Sequence, residues 1–230
     1  MKKFYSLIML LFLALCLCAC GSKGLKDVNE AYTYLDTTVK AYEASQNVSV
    51  VVSMKNGENV LKTELQYNLG TNVEYAIKMT DEIGEVSTVI KAGKSYLNRY
   101  GTTSSQDISA EEINEIIDNY SFEEITDDVL DVFSKAFFDA SVIETSSENK
   151  VVLLCDPFAM VPDENADDYE EQEELIFSLQ MLTSLRLELE YANKQITKLV
   201  GIFEDADGNI STTTIEFVSL EVQVIDAPQQ

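Results

Sequence analysis

Alternation of apolar and polar residues is the feature that most restricts how this chain can fold. Val48, Val50, Val52 and Met54 form one comb of period two; Thr63, Leu65, Tyr67 and Leu69 form a second; Val73, Tyr75, Ile77 and Met79 form a third, with Glu74 and Lys78 facing the other way. Successive side chains of a strand point to opposite faces, so each comb predicts a strand with one buried face. Asn56-Gly57, Gly70 and Gly93-Lys94 punctuate the combs with turn chemistry. Val86–Ala92 and Ser95–Tyr100 add a further hairpin, and a polar loop is expected from Gly101 to Ile108. The pattern returns late in the chain, as Leu185, Leu187, Leu189 and Tyr191, then Ile196–Phe203, then Ile210–Ile225. Short turns between consecutive strands predict an antiparallel meander.

Between the strands the period changes. Asp27-Val28-Asn29-Glu30 has the spacing of a capping box, and Val28, Ala31, Tyr32, Leu35, Val39 and Tyr42 follow on one helical stripe ending near Ser45. Ser109 with Glu112 and Ser121 with Glu124 open a second helical region. Its stripes are Ile113, Ile116, Ile117 and Tyr120, then Val129, Phe133, Ala136 and Phe137. Val142–Thr145 and Lys150–Cys155 are expected to pair, and an acidic helical stretch to run from Asp163 to Gln180.

One helix, a long meander, central helices and more meander is an order that resembles the LolA, LolB and LppX-like lipoprotein group. The Lys91-Ala92-Gly93-Lys94-Ser95-Tyr96 and Glu204-Asp205-Ala206-Asp207-Gly208-Asn209-Ile210 hairpins resemble turns of that group. The resemblance implies an α+β fold, an unclosed antiparallel half-barrel covered by helices. It also implies a lipid or other apolar ligand between sheet and helices. The residues placed to line such a space are Leu65, Tyr67, Tyr75, Ile77 and Met79, facing Phe133 and Phe137. The same combs are also what a plain packed core requires.

The N-terminus carries a separate signal. Met1-Lys2-Lys3 precedes an apolar run from Phe4 to Ala19 broken by Ser6, the layout of a secretory signal peptide. The run is short of the ~20 apolar residues of a spanning helix. Leu17-Cys18-Ala19-Cys20, followed by Gly21 and Ser22, resembles the lipobox of bacterial lipoproteins. That resemblance implies cleavage before Cys20 and a diacylglyceryl group on its thiol, a durable membrane anchor because acyl-chain burial contributes about 0.8 kcal/mol per CH₂. The expected organisation is therefore a signal peptide over residues 1–19, a lipidated Cys20 with a short tether over 20–26, and one domain over 27–230. The chain would be exported and held on the outer face of a bacterial cell membrane.

Removal of residues 1–19 leaves 14 basic and 40 acidic side chains, a net charge of −26. Such a polyanion repels nucleic-acid phosphates, so no nucleic-acid partner is expected. The chain has no histidine, which removes Ser-His-Asp and Cys-His sites. Ser147-Glu148-Asn149-Lys150 matches the S-x-x-K pattern, yet lies at an expected hairpin turn without companion motifs. Asp205-Ala206-Asp207-Gly208-Asn209 begins like a calcium loop, but Ile210 stands where that loop needs glycine, and a hairpin is expected. Cys155 follows the apolar run Val151–Leu154 and is expected to be a buried thiol.

Two functions follow. The first is a non-enzymatic, monomeric lipoprotein that binds a lipid or other apolar ligand, without cofactor or metal. The alternative is an envelope interaction or structural module with a filled core and an acidic partner-binding surface.

Overall fold

The computed structural model describes residues 24–161 and 173–228. Eleven strands form one antiparallel sheet: β1 (Asn47–Asn56), β2 (Asn59–Asn68), β3 (Glu74–Thr80), β4 (Glu85–Lys91), β5 (Lys94–Arg99), β6 (Thr102–Asp107), β7 (Ser141–Ser146), β8 (Lys150–Cys155), β9 (Leu182–Ala192), β10 (Gln195–Asp205) and β11 (Ile210–Ser219). Their order is β6-β5-β4-β3-β2-β1-β11-β10-β9-β8-β7, so β6 and β7 are edges and the sheet does not close. Two meanders are thus joined by the pairing of β1 with β11. The helices are α1 (Val28–Glu43), α2 (Ala110–Asn119), α3 (Phe122–Val132), α4 (Lys135–Ala140) and α5 (Glu173–Gln180). This is the unclosed antiparallel half-barrel with helices that the order of elements predicts.

Three tight turns set the registers. Ala92-Gly93, Tyr100-Gly101 and Asn193-Lys194 each place two consecutive residues at positive φ between paired strand ends. That geometry matches the right-handed twist of the flanking strands. Asn193 and Lys194 do so without glycine, at φ 52° and 66°.

Helix α1 lies against the sheet through specific contacts. Thr38 Oγ1 donates to Tyr34 O at 2.8 Å and accepts from Ile196 N at 2.9 Å. Ile196 borders a bulge in the β9–β10 ladder, and the threonine satisfies its buried amide. Tyr42 meets Phe217 edge-on with ring centres 5.1 Å apart, and Phe122 of α3 joins the same cluster. Phe133, just past α3, sits over Gly201 of β10, where an added Cβ would lie 2.6 Å from its ring. Glycine at that point lets the ring approach the sheet backbone.

The structure differs from the sequence reading at several elements. The Gly101–Ile108 segment contains β6, a polar edge strand paired only with β5. Polar side chains on both faces leave no comb to read. β11 stops at Ser219 and not at Ile225. Beyond it Val222 and Val224 are exposed, and the tail is held by side chains: Asn68 Nδ2 donates to Gln223 O at 2.8 Å, Gln223 N donates to Asn68 Oδ1 at 3.0 Å, and Lys91 donates to Ile225 O. Asp27 caps α1 by accepting from Asn29 N at 2.9 Å, while Glu30 accepts from Tyr34 Oη. The Ser109–Glu112 capping box is fully formed. The acidic stretch from residue 162 to 172 lies outside the described residues, and α5 covers Glu173–Gln180.

Candidate functional site

The residues expected to line a ligand space occupy two parts of one continuous core. Leu65 faces Ile77, and Tyr67 faces Tyr75, across the β2–β3 ladder; all four are buried. The tyrosine rings are parallel, 6.5 Å apart, and Tyr75 Oη donates to Tyr120 O at 3.0 Å. Met79 faces Thr63 one row on and is half-buried. Phe133 and Phe137 meet edge-on at 5.1 Å and are buried over the β10 side, where Phe133 also meets Phe203. β1 and β11 lie between the two sets. Cys20 lies outside the described residues.

The buried face of these strands continues past the helices. Register places Met54 opposite Leu61 on one side and Thr213 on the other. By alternation they share the face of Val52, Thr63 and Ile215, one row further along. Val52 and Ile215 are buried, whereas Met54 is 38% and Leu61 44% exposed. Tyr42, Phe122 and Phe133 cover Phe217, Gly201 and Phe203; the ends of β1, β2 and β11 emerge beyond them. At these strand ends lies a groove of about 520 Å³, lined by Met54, Leu61 and Thr213, by Lys55, Val60 and Thr212 of the alternate positions, by Asn56, Asn59 and Ser211, and by Asp81, Glu82 and Ile83 of the β3–β4 turn. Its size falls in the range of small-molecule sites.

The Asp81–Gly84 loop beside the groove is well tied. Asp81 Oδ1 accepts from Ile83 N at 2.8 Å and Gly84 N at 3.0 Å, and Asp81 N donates to Gly84 O at 3.1 Å. Gly84 sits at φ 146° against the Tyr100 ring. Ile83 at the tip is 78% exposed, an apolar side chain presented by a fixed turn. Two clefts of about 560 and 580 Å³ lie elsewhere, beside Tyr34, Glu148 and Lys194 and beside Thr38, Gln195 and Glu221. Their walls are mixed polar and apolar, whereas the groove is lined by more apolar than polar surface.

The reactive patterns of the sequence resolve into structure. Ser147 Oγ donates to Lys150 O at 3.3 Å, and Lys150 Nζ pairs with Glu188 at 2.6 Å across β8 and β9, so serine hydroxyl and lysine amine are engaged apart. The Asp205 loop is the β10–β11 hairpin: Asp205 accepts from Asp207 N, Asn209 N and Asn209 Nδ2 at 2.8–2.9 Å. These bonds hold its carboxyl below the ordinary aspartate range, Asn209 contributing most. Glu216 pairs instead with Lys198 at 2.9 Å on the neighbouring strand. Cys155 is buried, and burial pushes its thiol up. Among the described residues no helix is long and apolar enough to cross a membrane, and no group of three or more Cys, Asp or Glu side chains is placed to hold a metal ion.

Leu61 and Ile83 were not picked out by periodicity. Their signal is position: Leu61 stands four residues after Gly57 at the start of β2, and Ile83 directly precedes Gly84 in the β3–β4 turn. No protein-family model matches the chain, and neither does any curated protein. Among solved structures it is similar to LprF from Mycobacterium bovis, at 14% identity over 86% of this chain and 97% of that one, with a TM-score of 0.38. It is also similar to a chain of the Pseudomonas aeruginosa MucA/MucB complex, at 10% identity over 86% of this chain and 64% of that one, TM-score 0.34. A third is a LolA superfamily protein from Nitrosomonas europaea, at 10% identity over 86% of this chain and 94% of that one, TM-score 0.24. At such scores these are loose likenesses of shape, and the functional reading rests on the groove.

Proposed function

We propose that the chain is an exported lipoprotein, anchored through Cys20 to the outer face of a bacterial membrane, that binds a lipid or other apolar ligand without transforming it. The observation that carries this reading is the groove at Met54, Leu61 and Ile83, where apolar side chains at the strand ends stand open to solvent. Bare apolar surface shaped as a concavity gains free energy by taking up an apolar guest, at about 25 cal/mol per Å² removed from water. Leu65, Tyr67, Tyr75, Ile77, Phe133 and Phe137 belong to the core, with Met79 packed against it, and none of the seven lines the groove. The domain itself is residues 27–230, acting as a monomer.

Two measurements test the reading. Protein purified without its anchor is expected to release lipid on organic extraction, detected by mass spectrometry. Leu61→Asp, a change at a half-exposed position, is expected to reduce that lipid at least tenfold while circular dichroism stays unchanged. Retention of the same lipid by the variant argues against the groove. Labelled fatty acid fed to expressing cells is expected to mark the wild-type chain and not Cys20→Ser; equal labelling removes Cys20 as the anchor.

A further inference from the structure

The groove has charged as well as apolar residues in its lining. Asp81, Glu82 and Lys55 are among them. Glu58 is exposed in the β1–β2 turn, and the hairpin that leads into Ser211 and Thr212 carries a half-buried Asp205 and an exposed Asp207. The carboxylates at this end of the sheet are committed differently. Asp81 and Asp205 accept loop amides and are fixed in place, whereas the Glu58 and Glu82 side chains extend from exposed positions. An amphiphile with its chain on Met54 and Leu61 has its polar end near Asp81, Glu82 and Lys55, because these residues line the same groove.

We infer that the groove selects amphiphiles by headgroup charge, taking a long-chain ammonium compound in preference to a fatty-acid carboxylate. This rests on the apolar-ligand reading of the same groove. An ammonium headgroup gains attraction from Asp81 and Glu82 and opposition from Lys55 alone; a carboxylate meets the reverse. Exposed charge pairs contribute little individually, so the expected preference is modest, about threefold to tenfold at low salt. It shrinks as salt shortens the Debye length.

The test uses the anchored, full-length mature protein in nanodiscs of neutral lipid, with its methionine methyl groups carbon-13 labelled. Octylammonium and octanoate are the probes, and the Met54 methyl resonance is the readout. Buried Met160 serves as control. The expected result is saturable movement of Met54 with both probes, tighter for octylammonium. Glu82→Lys is expected to narrow or invert the preference by about threefold, and Lys55→Glu to widen it by a similar factor. Equal affinities, tighter octanoate binding, or no response of the preference to either variant overturns the headgroup inference and leaves the apolar site standing. No movement of Met54 with either probe overturns the apolar-ligand reading itself. Concentration-dependent movement without any probe assigns the groove to a second copy of the chain and overturns both.

Discussion

Tyr42 lies between Phe122 and Phe217, and burial there pushes its phenol up to about 12 from an ordinary value of 10.0. Burial raises Tyr67 and Tyr75 as well. The neutral, protonated phenol is the form the core accepts. Its contribution is therefore fully present below pH 10, where folded and unfolded chains are both protonated. It is lost as the pH rises from about 10 through about 12, because the unfolded chain ionises first. Thermal midpoints measured across that window are expected to fall more steeply for the wild type than for Tyr42→Phe. Parallel curves would mean that Tyr42 does not govern the alkaline limit. Burial of this kind was legible for Tyr42, which sits on the stripe of α1. Its two ring partners, Phe122 and Phe217, come from distant segments that periodicity cannot bring together.

At the scale of elements, the combs were legible because a two-residue period has few other uses. β1, β2, β3 and β9 fall where their combs predict, and so do the hairpins that join β4 to β5 and β10 to β11. β6 was not legible: Thr102–Asp107 is polar throughout, and its strand character comes from pairing with β5. The opposite error arose at Leu220–Ile225, where Leu220, Val222 and Val224 alternate like a strand but no neighbour pairs with them. Alternation reports a face that is able to be buried; pairing decides whether it is. The groove was out of reach for the same reason, since Met54 reads like Val52 until the helices are seen to stop short of it. The turns carry one element-scale prediction. Asn193 and Lys194 hold two positive-φ positions without glycine, at a cost of roughly 1–2 kcal/mol for a residue with a Cβ. Lys194→Gly is expected to stabilise the protein by about 1 kcal/mol in urea unfolding with an unchanged m-value. A destabilised variant would mean that the lysine side chain contributes more than its backbone costs.

At the scale of the whole molecule, the first described residues are fixed against the sheet. An added Cβ at Gly24 would lie 2.3 Å from Ser146 Oγ and 2.7 Å from Ser147 O. Leu25 is buried, its amide donating to Tyr191 Oη at 3.3 Å, and that hydroxyl donates to Ser147 O at 2.8 Å. The chain is thus already packed at residues 24 and 25, inside the segment read as tether. Tyr191 and Ser147 mark one end of the strands. The groove marks the other, since β10 runs from Gln195 beside the first to Asp205 beside the second. Eleven residues of strand span about 35 Å. The four steps from Cys20 to Gly24 reach at most about 14 Å. On the proposed Cys20 anchor, a fluorophore at Glu148→Cys is therefore expected to transfer energy efficiently to a dye in the bilayer, and one at Ile83→Cys to do so several-fold less. Equal transfer would lay the domain flat on its membrane.

The pinning of Gly24 then bears on a direction of traffic. On the proposed Cys20 anchor, a domain moored at one end of its strands and open at the other turns its mouth outward, away from the leaflet that holds it. The guests proposed for the groove would then arrive from, or leave toward, whatever stands across the gap.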